Sequence, residues 1–202
     1  AERVLTKMAS AFDMAYQRFE DLQEAERRAL ESKIEASLEK VRSRSLAMHH
    51  SSELQDVIWT VHQQLKNLEV DISGGAFIVV NENLKNEFRC WGAGGAGNYI
   101  QEVLIPFIDR PIYKVLANGI KEGKSFITEY YSKEEKQEFF RHLFQHFPFN
   151  QIPASRQKDL LSSDGGYVRS CAVFDHISIF IINHHGRRFN DLENSILRQM
   201  GR

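Results

Sequence analysis

Cysteine is nearly absent from this sequence: Cys90 and Cys171 are the two among 202 residues. Both fall in apolar, strand-like stretches, where a buried free thiol is the ordinary state. A disulfide framework or a zinc site would need more ligands at closer spacing. An excess of one sign of charge is missing as well. Twenty-six basic residues against 27 acidic ones leave a formal net charge of -1, so no global field draws the chain to nucleic acid or to a membrane. No apolar run approaches the roughly 20 residues that span a bilayer, and no signal-peptide pattern is read at the start. These absences set the expectation of a domain in a reducing, cytoplasmic setting. With 42% hydrophobic and 26% charged residues, the composition is that of a globular protein, long enough for one domain plus an extension.

Proline and glycine are both missing from Glu2 to Met48, so one nearly continuous helix is expected, reaching roughly 70 Å at about 1.5 Å per residue. From Leu5, apolar residues recur at Met8, Phe12, Ala15, Phe19 and Leu22 in alternating steps of three and four, which is a heptad seam. Leu30, Ile34, Leu38 and Val41 then follow mostly in steps of four, a stutter that locally unwinds a supercoil. Residues 20–40 are charged all round apart from this stripe, so they cannot be buried in a monomer core. A parallel, dimeric coiled coil accounts for them, with an antiparallel pair within one chain or a helix frayed by truncation as the alternatives. The basic residues Arg27, Arg28, Lys33, Lys40, Arg42 and Arg44 lie among nearly as many acids, a solvated face and not a nucleic-acid patch.

Two parts are expected: a helical arm over residues 1–50 and a globular body over residues 51–202. The sequence begins on Ala1 and stops inside a helical pattern at Ser195 to Arg202, so a fragment of a longer protein is expected. Val4-Leu5-Thr6-Lys7-Met8 echoes Ile196-Leu197-Arg198-Gln199-Met200 in apolar pattern. The echo fits a tandem array in which the last helix of one module continues as the arm of the next.

The body opens with a helix from Ser51 or Ser52 to about Leu68, with Ser52 and Gln55 spaced as a capping box. Ala76 to Val80 and Glu87 to Trp91 read as paired strands around an Asn81-Glu82-Asn83 turn. A helix over Pro111 to Glu122, a strand over Ser125 to Tyr130 and a helix from Ser132 to Phe147, stopped by Pro148, come next. Ala154 to Ser162 reads as a short helix. Tyr167 to Phe174 and Ile177 to Ile182 read as a hairpin turning near Asp175 and His176, before a helix capped by Asn190 with Glu193. Helices and strands mix without a βαβ rhythm, so an α+β fold with a mainly antiparallel sheet is expected.

Catalytic and metal motifs are scarce. Gly92-Ala93-Gly94-Gly95-Ala96-Gly97 fits the dinucleotide pattern G-x-G-x-x-G, but the strand before it reads as half of a hairpin and Pro106 interrupts the segment after it. A mobile loop over a pocket is the better reading. Neither His49-His50 nor His184-His185 has a partner at H-x-x-x-H spacing. No G-x-S-x-G elbow and no P-loop occur, and a redox role for Cys90 and Cys171 is the weakest alternative. No enzymatic activity and no metal site are expected.

In order, an apolar helix leading into Gly74-Gly75-Ala76-Phe77-Ile78-Val79-Val80, a paired strand, a variable helical middle, two late strands and Phe189-Asn190-Asp191-Leu192-Glu193 resemble the GAF family of sensory domains. Ile196, Leu197 and Met200 continue that last, most family-like stretch. Residues 38–48 look like the linkers that precede GAF-type modules in large bacterial sensor kinases, and the resemblance covers roughly residues 38–202. It implies a central antiparallel sheet, terminal helices on one face and a pocket on the other, closed by the variable middle. It implies a non-catalytic module of a bacterial signal-transduction protein that binds a small molecule and relays the event through its terminal helices in a homodimer. The alternative is a ligand-free dimerisation and spacer module. GAF domains bind cyclic nucleotides, haem, bilins, amino acids or other small molecules, and some bind nothing. The signatures of the cyclic-nucleotide, bilin and methionine-sulfoxide reductase branches are not evident here, so no cofactor is named.

A pocket of this kind is expected to draw on residues that alternate along the strands: Phe77 and Val79, Phe88 and Trp91, Tyr130, and Phe174, Ser178 and Phe180. Arg89, Tyr113, Arg169 and His176 are further polar candidates.

Overall fold

The computed structural model describes residues 2–82, 87–94, 102–107 and 109–201, with side chains from residue 12 onward, Ser51 excepted. The seam residues Leu5 and Met8, the Val4-to-Met8 half of the echo, the turn residue Asn83 and the loop residues Gly95 to Gly97 lie outside these descriptions of backbone or side chain. Packing divides the chain into two compact units, residues 1–37 and residues 38–202.

Helix α1 runs Glu2–Leu46 without a helix-breaking residue. Along the first unit its surface is laced by ion pairs at helical spacing. Arg27 reaches Glu31 at 2.6 Å and Arg28 reaches Glu24 at 2.7 Å. Such pairs support a helix locally, although exposure keeps each of them weak. The described seam residues are open to solvent: Phe12 is 71% exposed, and Phe19 and Leu22 are each more than half exposed.

The second unit is α+β. After the end of α1 come α2 (Leu54–Asn67), β1 (Gly75–Val80), β2 (Glu87–Ala93), β3 (Val103–Pro106), α3 (Pro111–Lys121), β4 (Phe126–Tyr131), α4 (Lys133–Leu143), α5 (Ala154–Ser162), β5 (Tyr167–Val173), β6 (Ile177–Asn183) and α6 (Asp191–Met200). The six strands make one antiparallel sheet in the order β3-β2-β1-β6-β5-β4. Its centre is the pairing of the first strand with the last, Gly75↔Ile182 through Val80↔Ile177. Gly75 has φ +99°, and a Cβ there would stand 2.7 Å from the Ala93 carbonyl oxygen. Only glycine tolerates both conditions, so Gly75 fixes where β1 begins.

Successive side chains of a strand face opposite sides of the sheet, and here both sides are covered. Ala76, Ile78, Ile179 and Ile181 form one buried face with Ile58, Val61 and Leu65 of α2 and Ile196 and Leu197 of α6. Phe77, Val79, Phe180 and Ile182 form the other, under α3 and α4. The closing helix is fixed at its start by a complete capping box, Glu193 N–H donating to Asn190 Oδ1 at 2.9 Å and Asn190 N–H donating to Glu193 Oε2 at 2.8 Å.

Three local expectations need correction. Ser52 and Gln55 do not cap α2: a 3-10 turn covers Ser51–Glu53, Glu53 occupies the cap position, and Gln55 instead donates to the Gly92 carbonyl at 2.8 Å. Helix α4 ends at Leu143 and not at Phe147. Pro148 disfavours helical backbone at the residue before it, and the chain tightens through Gln145 N–H to His142 O and His146 N–H to Leu143 O, 3.0 Å each. Finally, Pro106 does not interrupt the fold but ends the edge strand β3, opposite Glu87, where a missing N–H is tolerated.

Ile181 is fully buried at the centre of the sheet, whereas Leu104 on β3 is half exposed. Ile181→Ala is expected to lower the unfolding free energy by about 2–5 kcal/mol, and Leu104→Ala by about 0.5 kcal/mol or less. Denaturant unfolding of both variants checks this, and similar losses for the two would contradict the burial described.

Candidate ligand cavity

The cavity lies on the α3/α4 side of the sheet. Its floor is built from alternate residues of four neighbouring strands: Phe88 and Cys90 of β2, Phe77 and Val79 of β1, Phe180 and Ile182 of β6, and Tyr167 and Arg169 of β5. Tyr113 and Leu116 of α3 and Phe139, Phe140 and Leu143 of α4 form the roof, and residues 148–153 with Arg156 and Leu160 close one side. The cavity volume is about 370 Å³, within the range of about 300–1,000 Å³ typical of small-molecule sites. Aromatic pairs set its walls. Phe77 stacks on Phe180 at 5.0 Å between ring centroids, and Tyr113 meets Phe88 at 5.4 Å and Phe139 at 5.8 Å. Gly92 makes this arrangement fit: a Cβ at Gly92 would stand 2.4 Å from the Phe77 ring.

One end of the cavity is polar. Arg169 and Glu129 face each other across β5 and β4, and both are more than nine-tenths buried. Arg169 Nε donates to Glu129 Oε2, Tyr131 Oη donates to Glu129 Oε1, and Arg169 Nη2 donates to the Ile112 carbonyl at 2.7 Å. The guanidinium also lies 5.6 Å from the centre of the Phe180 ring. Burial alone would push the Arg169 pKa down, but Glu129 and the neighbouring Tyr167 outweigh it and the net shift is upward. Arg169 therefore stays charged, and the Ile112 bond ties the first turn of α3 to the sheet.

Tyr113 is 4% exposed, and among the described residues its hydroxyl has no hydrogen-bond partner. Burial raises its pKa, so it presents a neutral phenol, able to donate and to accept. His184, at the cavity's edge, is pushed down to about 4, first by burial and then by Lys136. Its Nδ1 is buried without a hydrogen-bond partner among the described residues. Lys136 is fully buried and donates to Ser163 O at 3.0 Å, Ser163 Oγ at 2.8 Å and the Gly165 carbonyl. Cys90 and Cys171 are free thiols pushed up to about 12 by burial, which keeps both protonated and poorly nucleophilic.

No family model matches the chain, and neither a curated protein nor a solved structure matches it. The site therefore rests on its own geometry.

Of the residues expected at a pocket, Phe77, Val79, Phe88 and Phe180 line this cavity, as do Tyr113 and Arg169. Trp91, Tyr130, Phe174 and Ser178 do not. Trp91 is three residues from Phe88 and so lies on the opposite face of β2, where Arg89 covers its ring at 5.3 Å. Tyr130 is one residue off the cavity-facing set of β4, half exposed, with Arg188 5.2 Å from its ring centre. Phe174 lies beyond the end of β5, its ring filling the space that a side chain at Gly201 would need. Ser178 has the right parity but sits at the sheet's end and donates to Asn81 Oδ1 at 2.7 Å. Of the other polar candidates, Arg89 pairs with exposed Glu102, and His176 lies in the β5–β6 turn.

Sequence patterns alone missed Glu129, Tyr167, Phe139, Phe140 and His184. Glu129 carried a usable signal, because an acid falls on the apolar parity of β4, between Ile127 and Tyr131. His142 and His146 do have H-x-x-x-H spacing, and their rings lie 4.7 Å apart. Among the described residues, however, no group of three His, Cys, Asp or Glu side chains is placed to hold a metal. Gly92 and Ala93 belong to β2, which is antiparallel to β1, an arrangement without the parallel strand that a dinucleotide loop requires.

Glu129→Leu leaves the Arg169 charge buried without its counter-ion and is expected to lower stability by about 3–5 kcal/mol. Adding Arg169→Met is expected to restore most of that loss in denaturant titrations, and additive losses would contradict the pairing. His184 is neutral in the fold to far lower pH than in the unfolded chain. Its contribution is therefore intact above pH 6.5 and declines as pH falls from 6.5 to about 4. His184→Phe is expected to flatten stability over that window, and an unchanged pH profile would refute the assignment.

Proposed function

We propose that residues 38–202 form a GAF-like sensory module of a bacterial signal-transduction protein, acting without catalysis and binding a small molecule in the cavity between the sheet and α3/α4. The observation that carries this reading is an aromatic cavity of about 370 Å³ with a buried, unpartnered hydroxyl at Tyr113. A face meant only as core would close up, because voids cost dispersion contacts on every wall. The antiparallel sheet with α2 and α6 on its other side supports the GAF-like assignment.

The same strands offer a route for relay. Phe77 and Phe180 touch the cavity, while their neighbours Ile78 and Ile179 touch the face that carries α2 and α6. A ligand that prefers one arrangement of the sheet would shift how those helices pack, provided its affinity differs between the two arrangements. The exposed seam of Phe12, Phe19 and Leu22 supports a coiled-coil arm and a homodimer. Among the described residues no helix is long and apolar enough to cross a membrane, and we set the module in the cytoplasm.

Native mass spectrometry of gently purified chain is expected to give a dimer carrying a stoichiometric small molecule that is released on denaturation. A clean dimer that never acquires a ligand would favour a spacer role instead. Phe19→Glu combined with Leu22→Glu is expected to convert the dimer to monomer in light scattering. A persistent dimer would remove the arm from the interface.

A further inference from the structure

The chemistry of the cavity, on the reading that it is a ligand site, narrows what it takes. Its formally charged lining side chains, among the described residues, are Arg156 and Arg169, with no carboxylate. Glu129 stands behind Arg169 in the next strand and holds it by Nε, outside the lining. Lys136 adds a buried ammonium nearby, and its hydrogen-bond acceptors are two backbone carbonyls and a hydroxyl, none of them charged. The lining thus leans positive: its charged side chains are two guanidiniums, of which Arg169 is buried and Arg156 exposed, while the nearby carboxylates, Glu129 behind Arg169 and Asp164 near Lys136, stand outside it. The remaining walls are aromatic and aliphatic.

A cationic ligand would meet like charge and find no acid, which costs most where water is excluded. A hydrocarbon would fit the walls but leave the Tyr113 hydroxyl buried and unsatisfied. A carboxylate answers both conditions. It accepts a charge-assisted hydrogen bond from the phenol and faces the guanidinium that Glu129 and the Ile112 carbonyl already hold in place. We infer that the cavity selects an apolar carboxylate, an aromatic or branched hydrocarbon body with one carboxylate that Tyr113 and Arg169 receive, while Phe77 and Phe180 stack against the body. Tyr113 is then the residue that discriminates the acid from its hydrocarbon analogue. It acts by touching the ligand, whereas Glu129 acts by positioning Arg169.

The test uses the full chain and three probes that share one ring system: 2-naphthoate, 2-naphthylmethylammonium and 2-methylnaphthalene, each titrated by ligand-observed NMR. Expected is binding of 2-naphthoate at least tenfold tighter than 2-methylnaphthalene, with no detectable binding of the ammonium probe. Tyr113→Phe is expected to weaken 2-naphthoate about tenfold and leave 2-methylnaphthalene unchanged. The variant loses no intramolecular hydrogen bond, so its own stability should be unchanged or higher, and a denaturation midpoint verifies that the fold is intact. Equal affinity for the acid and the hydrocarbon, or an acid affinity insensitive to Tyr113→Phe, would overturn the carboxylate inference while leaving the cavity a ligand site. Binding of none of the three would overturn both.

Discussion

A strand has two faces, and this sheet has to use both. With α2 and α6 on one side and α3 and α4 on the other, the central strands β1 and β6 have no face given over to solvent. The alternation assigns each residue either to the helix-covered core or to the cavity side. That constraint explains why Ile177 to Asn183 reads as a nearly continuous apolar run and not as an alternating one. It also explains why the cavity floor is contributed two residues at a time by neighbouring strands. The register of β1 against β6 sets which pairs meet: Phe77 opposite Phe180, Val79 opposite Ser178. A slip of one residue would place Ile78 in the cavity and drive Phe77 into α2. Gly75 and Gly92 guard against such a slip, because each is a position where a Cβ would collide with something on the neighbouring strand.

Given that register, the polar end of the cavity is the next consequence. Arg169 falls on the cavity face of β5, and a lone guanidinium there would be costly to bury. Glu129 falls directly opposite it on β4, and Tyr131 on the same face completes the acceptor's coordination. Such a pair contributes little net stability compared with a hydrophobic replacement. Its value lies in orientation: Arg169 uses Nη2 to fix the Ile112 carbonyl at the start of α3. Tyr113 is the next residue, so the same bond sets where the phenol enters the cavity. The charge pair and the unpartnered hydroxyl are thus two parts of one arrangement.

Local signals in the sequence were legible where one residue decides the outcome. Asn190 with Glu193 three residues later specifies a helix start, and the capping box is complete. Pro111 opens α3 and the glycine at 123 ends it, again through backbone chemistry that is local. The α+β class and the antiparallel sheet were legible from element order. Parity was less so. Phe88 and Trp91 are both large, aromatic and close in sequence, and hydrophobicity alone does not say that an odd spacing separates their faces when both faces are buried. Tyr130 and Tyr131 pose the same problem, since one is exposed and the other sits in the cavity network. Glu129 was passed over because a charged residue in a strand is ordinarily assigned to solvent. Only the opposing Arg169, 40 positions later, makes its burial tolerable. The contribution of α4, through Phe139 and Phe140, depends on which way a helix rolls over a sheet, a long-range outcome that no short window contains.

The shape of the cavity constrains its occupant. Its walls include Phe77, Phe88, Phe139 and Phe180, large rings that leave room between them only because small residues, Cys90 on the floor and Gly92 at its border, stand beside them. Larger aliphatic side chains at such positions would close the space and gain contacts at every wall. Water finds few partners against its deeper walls, since a buried water needs two to four polar groups and most of this lining offers none. On the proposed reading of a ligand site, the occupant that fits is a molecule apolar over most of its surface and polar at one end. Tyr113 and Arg169 supply the partners for that end.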